Sequence, residues 1–116
     1  MGDLSWIAVD WGTSNLRVWG LDDSGNILGT VESPLGMNAI ASDPKLSFET
    51  VLVGLIEDWL AADAAKLPVV ICGMAGAKQG WLEAPYCDVP ARPSDLAQGA
   101  VAPKVSDPRI SVFILP

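Results

Sequence analysis

The sequence contains no histidine, only two cysteines, a single tyrosine and two phenylalanines. Without histidine there is no Ser-His-Asp triad, no histidine general base and none of the usual histidine-containing zinc sites. Cys72 and Cys87 are too far apart for a Cys-x-x-Cys motif and too few for a disulfide framework. Cys72 falls in an apolar run and reads as a buried thiol in a reducing compartment. No apolar stretch is long enough to span a bilayer, and the N-terminus lacks the basic region and apolar core of a signal peptide. Positive charge is also scarce: seven Lys and Arg stand against fourteen Asp and Glu, a net charge of −7. Such a surface repels a polyanion, so the expected partners include neither nucleic acid nor membrane. Small phosphorylated ligands stay open, because backbone N–H groups and a divalent cation can hold them locally. The expected location is the cytoplasm.

What is present suits one small folded unit. The chain has 116 residues, half of them hydrophobic, enough to bury a core without covalent staples. Trp6–Val9 is a short apolar run ending in a polar turn at Asp10–Asn15. Leu16–Leu21 and Ile27–Glu32 read as two strands joined at Asp22–Asn26, residues that tolerate tight turns. Ser33–Pro44, with two prolines and a glycine, reads as loop. Ser47 is a good N-cap, Glu49 suits the first turn, and Phe48, Leu52, Leu55, Ile56 and Trp59 make an apolar stripe at helical spacing. Pro68 ends that pattern. Val69–Cys72 reads as a buried parallel strand, followed by a small-residue turn at Gly73–Gly76 and a short helix near Ala77. Ser94–Gln98 makes a helical turn or two, and Ile110–Leu115 a last strand. Three antiparallel strands followed by helix-linked parallel ones predict an α/β fold, the mixed sheet of a ribonuclease-H-like lobe. The chain stops at Pro116 on an apolar strand with no covering helix. The expectation is an incomplete N-terminal lobe over residues 1–116, with a second lobe missing.

The strongest candidate site is Asp10-Trp-Gly-Thr-Ser-Asn-Leu-Arg17. A carboxylate at the end of a strand can hold Mg²⁺. Gly12 lets an anion approach the backbone. Thr13, Ser14 and Asn15 offer hydroxyl, amide and main-chain donors around that anion. Arg17 can reach a phosphate or a carboxylate with its planar fork. The plainer alternative is an ordinary Asp-x-Gly-Thr hairpin turn. A strand before the motif, a hairpin after it and the polar Ser-Asn-x-Arg tail favour the phosphate reading.

At these residues the chain resembles the first phosphate motif of the sugar kinase/Hsp70/actin superfamily. Within it, the 2-dehydro-3-deoxygalactonokinase family is similar over Ile7–Trp19. The likeness continues through Ser33-Pro-Leu-Gly36, Val70-Ile-Cys-Gly-Met-Ala-Gly76, Gln79-Gly-Trp81, Glu83-Ala-Pro-Tyr86 and Pro90-Ala91. The resemblance implies ATP-dependent phosphorylation of a 3-deoxy-2-keto sugar acid, with ATP and Mg²⁺ as cofactors. It implies Asp10 as the catalytic, metal-positioning carboxylate and Gly12, Thr13, Ser14, Asn15 and Arg17 as phosphate contacts. It further implies a sugar-acid pocket from Gly73, Met74, Gly76, Gln79, Trp81 and Tyr86, with Lys78 available to pair with an acid. From the residues alone, the preferred reading of Gly73–Gly76 is a tight strand-to-helix turn, with Trp81 and Tyr86 as core aromatics. Ser33–Asn38 reads either as one wall of the cleft or as a connector, and Trp19 and Trp59 as core. Glu83 and Asp88 are candidates by position for a catalytic base. Rival readings are another carbohydrate kinase of the superfamily and a non-catalytic actin-like ATP-binding module.

Overall fold

A computed structural model describes residues 4–60, 66–77, 80–84 and 99–115. Five strands form one sheet: β1 Trp6–Trp11, β2 Leu16–Leu21, β3 Ile27–Ser33, β4 Leu67–Gly73 and β5 Ile110–Ile114, in the order β3-β2-β1-β4-β5. β1 pairs antiparallel with β2, and β2 with β3; β4 runs parallel to β1, and β5 parallel to β4. The expected ribonuclease-H-like mixed sheet is therefore observed. Two helices, α1 Met37–Ser42 and α2 Phe48–Ile56, separate β3 from β4, and 3-10 turns follow at Glu57–Trp59 and Met74–Gly76.

Side chains alternate across a strand, so one face of the sheet takes Ile7, Val9 and Trp11 from β1, and Leu16 and Val18 from β2. Val69 and Ile71 of β4 and Ile110, Val112 and Ile114 of β5 complete that face. Val51, Leu52 and Ile56 of α2 are buried in the same cluster, with Phe48, Leu55 and Trp59 packed against it. α2 begins where expected because Ser47 and Thr50 form a reciprocal capping box: each side chain accepts from the other residue's backbone N–H, both at 3.1 Å. Asp22 closes the hairpin tip by accepting from the Asn26 side-chain amide and from the backbone N–H of Asn26 and Ser24, which together hold its carboxyl below the usual carboxylate range.

Three expectations need correction. Met37–Ser42, read as loop, is helical, because Gly36 and the turn after β1 organise its first residues. β4 is not buried on both faces: Val69 and Ile71 are buried, but Cys72 is exposed, because among the described residues the helices cover only one side. Cys72 is thus a surface thiol rather than a core one. Trp19 lies on that opposite face with Arg17 6.0 Å from its ring centre, while Trp59 does pack on the core. The Ser94–Gln98 helix and Cys87 lie outside the described residues.

Glu49 and Arg109 tie the segment before β5 to α2. The Glu49 carboxylate accepts from the backbone N–H of Ser106 (2.8 Å) and Asp107 (3.2 Å). Arg109 donates through both Nη atoms to Glu57 at 2.8 Å and through Nε and Nη2 to Asp107. These bonds pull the Asp107 carboxyl from its ordinary 3.8 to about 2. A depressed carboxyl stabilises the fold above its unfolded pKa, and that contribution disappears as pH falls through its folded one. Asp107→Asn is therefore expected to lower the urea midpoint at neutral pH with an unchanged m-value, and the gap should close between about pH 4 and pH 2. A gap independent of pH would show that Asp107 acts by shape, not by charge.

Candidate functional site

The carboxyl ends of the neighbouring parallel strands β1 and β4 lie side by side, with Asp10 opposite Cys72 and Trp11 opposite Gly73. Asp10 ends up exposed, on the sheet face away from α2. Among the described residues, no hydrogen bond or ion pair engages its carboxylate. Its charge is felt by the adjacent Cys72 thiol, whose pKa is pushed up first by local burial and then by Asp10. That thiol donates to the Val9 carbonyl at 3.5 Å.

The turn Gly12–Asn15 joins β1 to β2 and is closed by the Gly12 N–H donating to the Asn15 carbonyl at 2.8 Å. Thr13, Ser14 and Asn15 are exposed. The carbonyls of Gly12 and Thr13 each accept, at 3.0 Å, from the N–H groups of Met37 and Asn38 at the start of α1. Beneath the turn, Trp11 is fully buried and packs against Phe48 at 5.0 Å and Trp81 at 6.3 Å between ring centres; Phe48 and Trp81 stack at 5.8 Å. The Trp11 Nε1–H is buried with no acceptor among the described residues.

A cleft of about 400 Å³ opens beside the turn, lined by Asp10, Asn15, Leu16, Arg17, Glu32, Ser33 and Pro34. The register sets Asp10 opposite Arg17 and Arg17 opposite Glu32, so the three side chains share a face. Arg17 Nε meets Glu32 Oε1 at 2.7 Å, both ends well exposed, so the guanidinium is held over β3 by an ion pair that solvent weakens. Glu32 was not among the sequence candidates. The signal for it was the hairpin itself, since pairing β2 with β3 sets an acid opposite Arg17.

The second group of candidates divides. Gly73 stands next to the first site at φ +98°, where a Cβ would lie 2.5 Å from the Trp11 carbonyl oxygen and 3.1 Å from Asp10 Oδ1. Only glycine lets β4 finish so close to Asp10. Met74 is exposed. Gly76 packs away from the cleft, against the end of β5: its Cβ would meet the Leu115 carbonyl oxygen at 2.9 Å. Trp81 is held by the Ala75 carbonyl, which its N–H reaches at 2.8 Å, and its ring lies in the aromatic cluster beneath the turn. Glu83 is exposed on the same turn. Gln79 and Tyr86, like Lys78 and Asp88, lie outside the described residues. The structure therefore brings Asp10, the Gly12–Asn15 turn, Arg17 and Gly73 together, and sets Gly76 and the Trp81 ring into the packing around them.

Asp10 fits a cation. It is an exposed carboxylate, unpaired among the described residues, beside a turn with exposed donors, and Mg²⁺ is commonly held by one or two carboxylates plus substrate phosphates. Among the described residues no group of three or more Cys, Asp or Glu converges as a metal cage. Nor, among them, is any helix long and apolar enough to cross a membrane.

Residues 10–116 match the family described as 2-keto-3-deoxy-galactonokinase. The chain is 41% identical over 109 residues to the Rhizobium meliloti (strain 1021) protein named "Probable 2-dehydro-3-deoxygalactonokinase DgoK1", covering 94% of this chain and 33% of that one. It is 38% identical over 86 residues to the Escherichia coli (strain K12) 2-dehydro-3-deoxygalactonokinase, covering 74% of this chain and 27% of that one. The structure titled "Crystal structure of a putative 2-dehydro-3-deoxygalactonokinase protein from Sinorhizobium meliloti" superposes with a TM-score of 0.78 at 40% identity over 96% of this chain and 34% of its own. The match thus spans about a quarter to a third of the length of these relatives. By the match over residues 10–116, it belongs to the 2-keto-3-deoxy-galactonokinase family.

Proposed function

We propose that these residues form the phosphate-binding part of an ATP-dependent kinase that phosphorylates 2-dehydro-3-deoxy-D-galactonate to its 6-phosphate. The observation that carries this reading is the convergence of the exposed Asp10 carboxylate, the Gly12–Asn15 turn and the Gly73 backbone at one edge of the sheet. Asp10 would hold Mg²⁺, which, when bound, neutralises charge on the nucleotide phosphates. The N–H groups and hydroxyls of the turn hold phosphate oxygens in place, and Arg17 holds a phosphate or the acid's carboxylate once drawn from Glu32. The acid lies on the Gly73–Met74 side, with Gln79 and Tyr86 as further contacts and Trp81 supporting the turn from beneath. A free surface thiol at Cys72 agrees with a cytoplasmic location, where thiols stay reduced.

The test compares residues 1–116 alone with the same residues joined to the remaining two-thirds of the Rhizobium meliloti relative. ADP release is followed with Mg·ATP and a panel of sugars and sugar acids. Phosphoryl transfer requires nucleotide, metal and acceptor to be clamped together, so the 116 residues alone should be inactive. The joined chain should turn over 2-dehydro-3-deoxygalactonate at roughly 1–100 s⁻¹. Preference for glycerol or xylulose would replace this substrate assignment by another carbohydrate. ATP binding without transfer to any acceptor would favour a non-catalytic module.

A further inference from the structure

We propose that Gly36, together with the first N–H groups of α1, is the positioning element of the phosphate turn. This rests on the phosphate reading above and extends it to a segment outside the Asp10–Arg17 motif. The peptide group is planar and trans, so each N–H points opposite to the carbonyl in its own peptide unit. The Gly12 carbonyl is fixed toward Met37 N–H and the Thr13 carbonyl toward Asn38 N–H, each at 3.0 Å. The N–H groups of Thr13 and Ser14 complete those two peptide units. Both therefore point away from α1, side by side, and successive N–H groups aimed one way make an anion-binding concavity. Two ordinary helix-start donors thus set the direction of two phosphate donors.

Gly36 makes the approach possible. Its backbone, at φ −70° and ψ −175°, suits any residue, so glycine is not there for conformational freedom. It is there for space: a Cβ would lie 2.5 Å from Asn15 N and 2.6 Å from both Ser14 C and the Thr13 carbonyl oxygen. All three are backbone atoms of the turn, so no side chain can swing aside to make room. A methyl group must push the turn off α1 and misdirect its donors.

The test titrates the ¹⁵N-labelled 116-residue chain with inorganic pyrophosphate and reads the Thr13 and Ser14 amide resonances. Gly54→Ala is the control, because a Cβ at that helical glycine meets nothing within 4 Å. Wild type and Gly54→Ala should respond alike, while folded Gly36→Ala should bind roughly tenfold to a hundredfold more weakly, as expected of a misplaced site. Equal affinity in Gly36→Ala overturns the proposal. If Gly36→Ala does not fold, Met37→Pro and Met37→Ala decide. Both lose the Met37 side chain, but only proline, well tolerated at the first helical position, removes the N–H that holds the Gly12 carbonyl. Weaker binding in Met37→Pro than in Met37→Ala supports the proposal, and equal binding refutes it. A wild-type chain whose Thr13 and Ser14 amides ignore pyrophosphate would instead remove the phosphate reading itself.

Discussion

Asp10→Asn in the joined chain is expected to lower kcat by roughly a hundredfold to a thousandfold, the usual loss when one preorganised charge-stabilising group is removed. The substitution keeps shape and size and removes only the charge. Asp10 is exposed and carries no ion pair or hydrogen bond among the described residues, so the fold should be unaffected within about 0.5 kcal/mol. Loss of activity would then report on chemistry rather than on folding. A second readout comes from Cys72, whose thiol pKa is raised partly by the Asp10 charge. In Asp10→Asn that pKa should move back toward its ordinary value, measurable by the pH dependence of alkylation in residues 1–116 alone. A lowered thiol pKa with normal kcat would keep the geometry and remove Asp10 from the chemistry.

Gly73→Ala should be the most damaging single methyl group near the site, and mainly through stability. At φ +98° an L-residue is strained by about 1–2 kcal/mol. The new Cβ would also press on the Trp11 carbonyl at 2.5 Å, and overpacking of this kind costs roughly 1–3 kcal/mol more. Together the expected loss is about 2–5 kcal/mol, read as a shift in the urea midpoint of the 116-residue chain. Because Trp11 and Asp10 lie at the end of β1, any folded fraction should also bind pyrophosphate less well. A variant as stable as wild type would mean that β4 can withdraw from β1 at this point.

The fold was legible where side-chain pattern and local chemistry agree. The strand segment Leu16–Leu21, the turn residues Asp22–Asn26 and the Ser47 cap each report a short-range preference, and each element formed where the pattern placed it. Met37–Ser42 was not legible, because its start depends on the carbonyls of Gly12 and Thr13, which are distant in sequence. Cys72 misled for a related reason: an apolar run records hydrophobicity but not how many faces of the sheet receive a cover. At the site, Asp10 and the turn after it could be read directly from their motif. Glu32 required the strand register, and Gly36 required knowing which backbone it would touch. Trp81 was implied as a pocket residue by the resemblance, while the residues alone favoured the core; the structure stacks its ring on Phe48 beneath the turn.

The mixed sheet also divides the entropic cost of assembling the site very unequally. β1, β2 and β3 are joined by tight turns, so bringing Asp10 opposite Arg17 and Arg17 opposite Glu32 closes only short loops. Gly73 reaches Trp11 only when β4 docks in parallel on β1, which closes the whole interval from Trp11 to Leu67. Loop closure grows costlier with the logarithm of length, and such nonlocal pairings form slowly. The Gly12–Asn15 turn therefore belongs to the local, quickly formed half of the sheet. The glycine that completes its neighbourhood arrives with the slow half, so a chain that has folded only its hairpins already displays the Asp10–Arg17 motif but not the finished site.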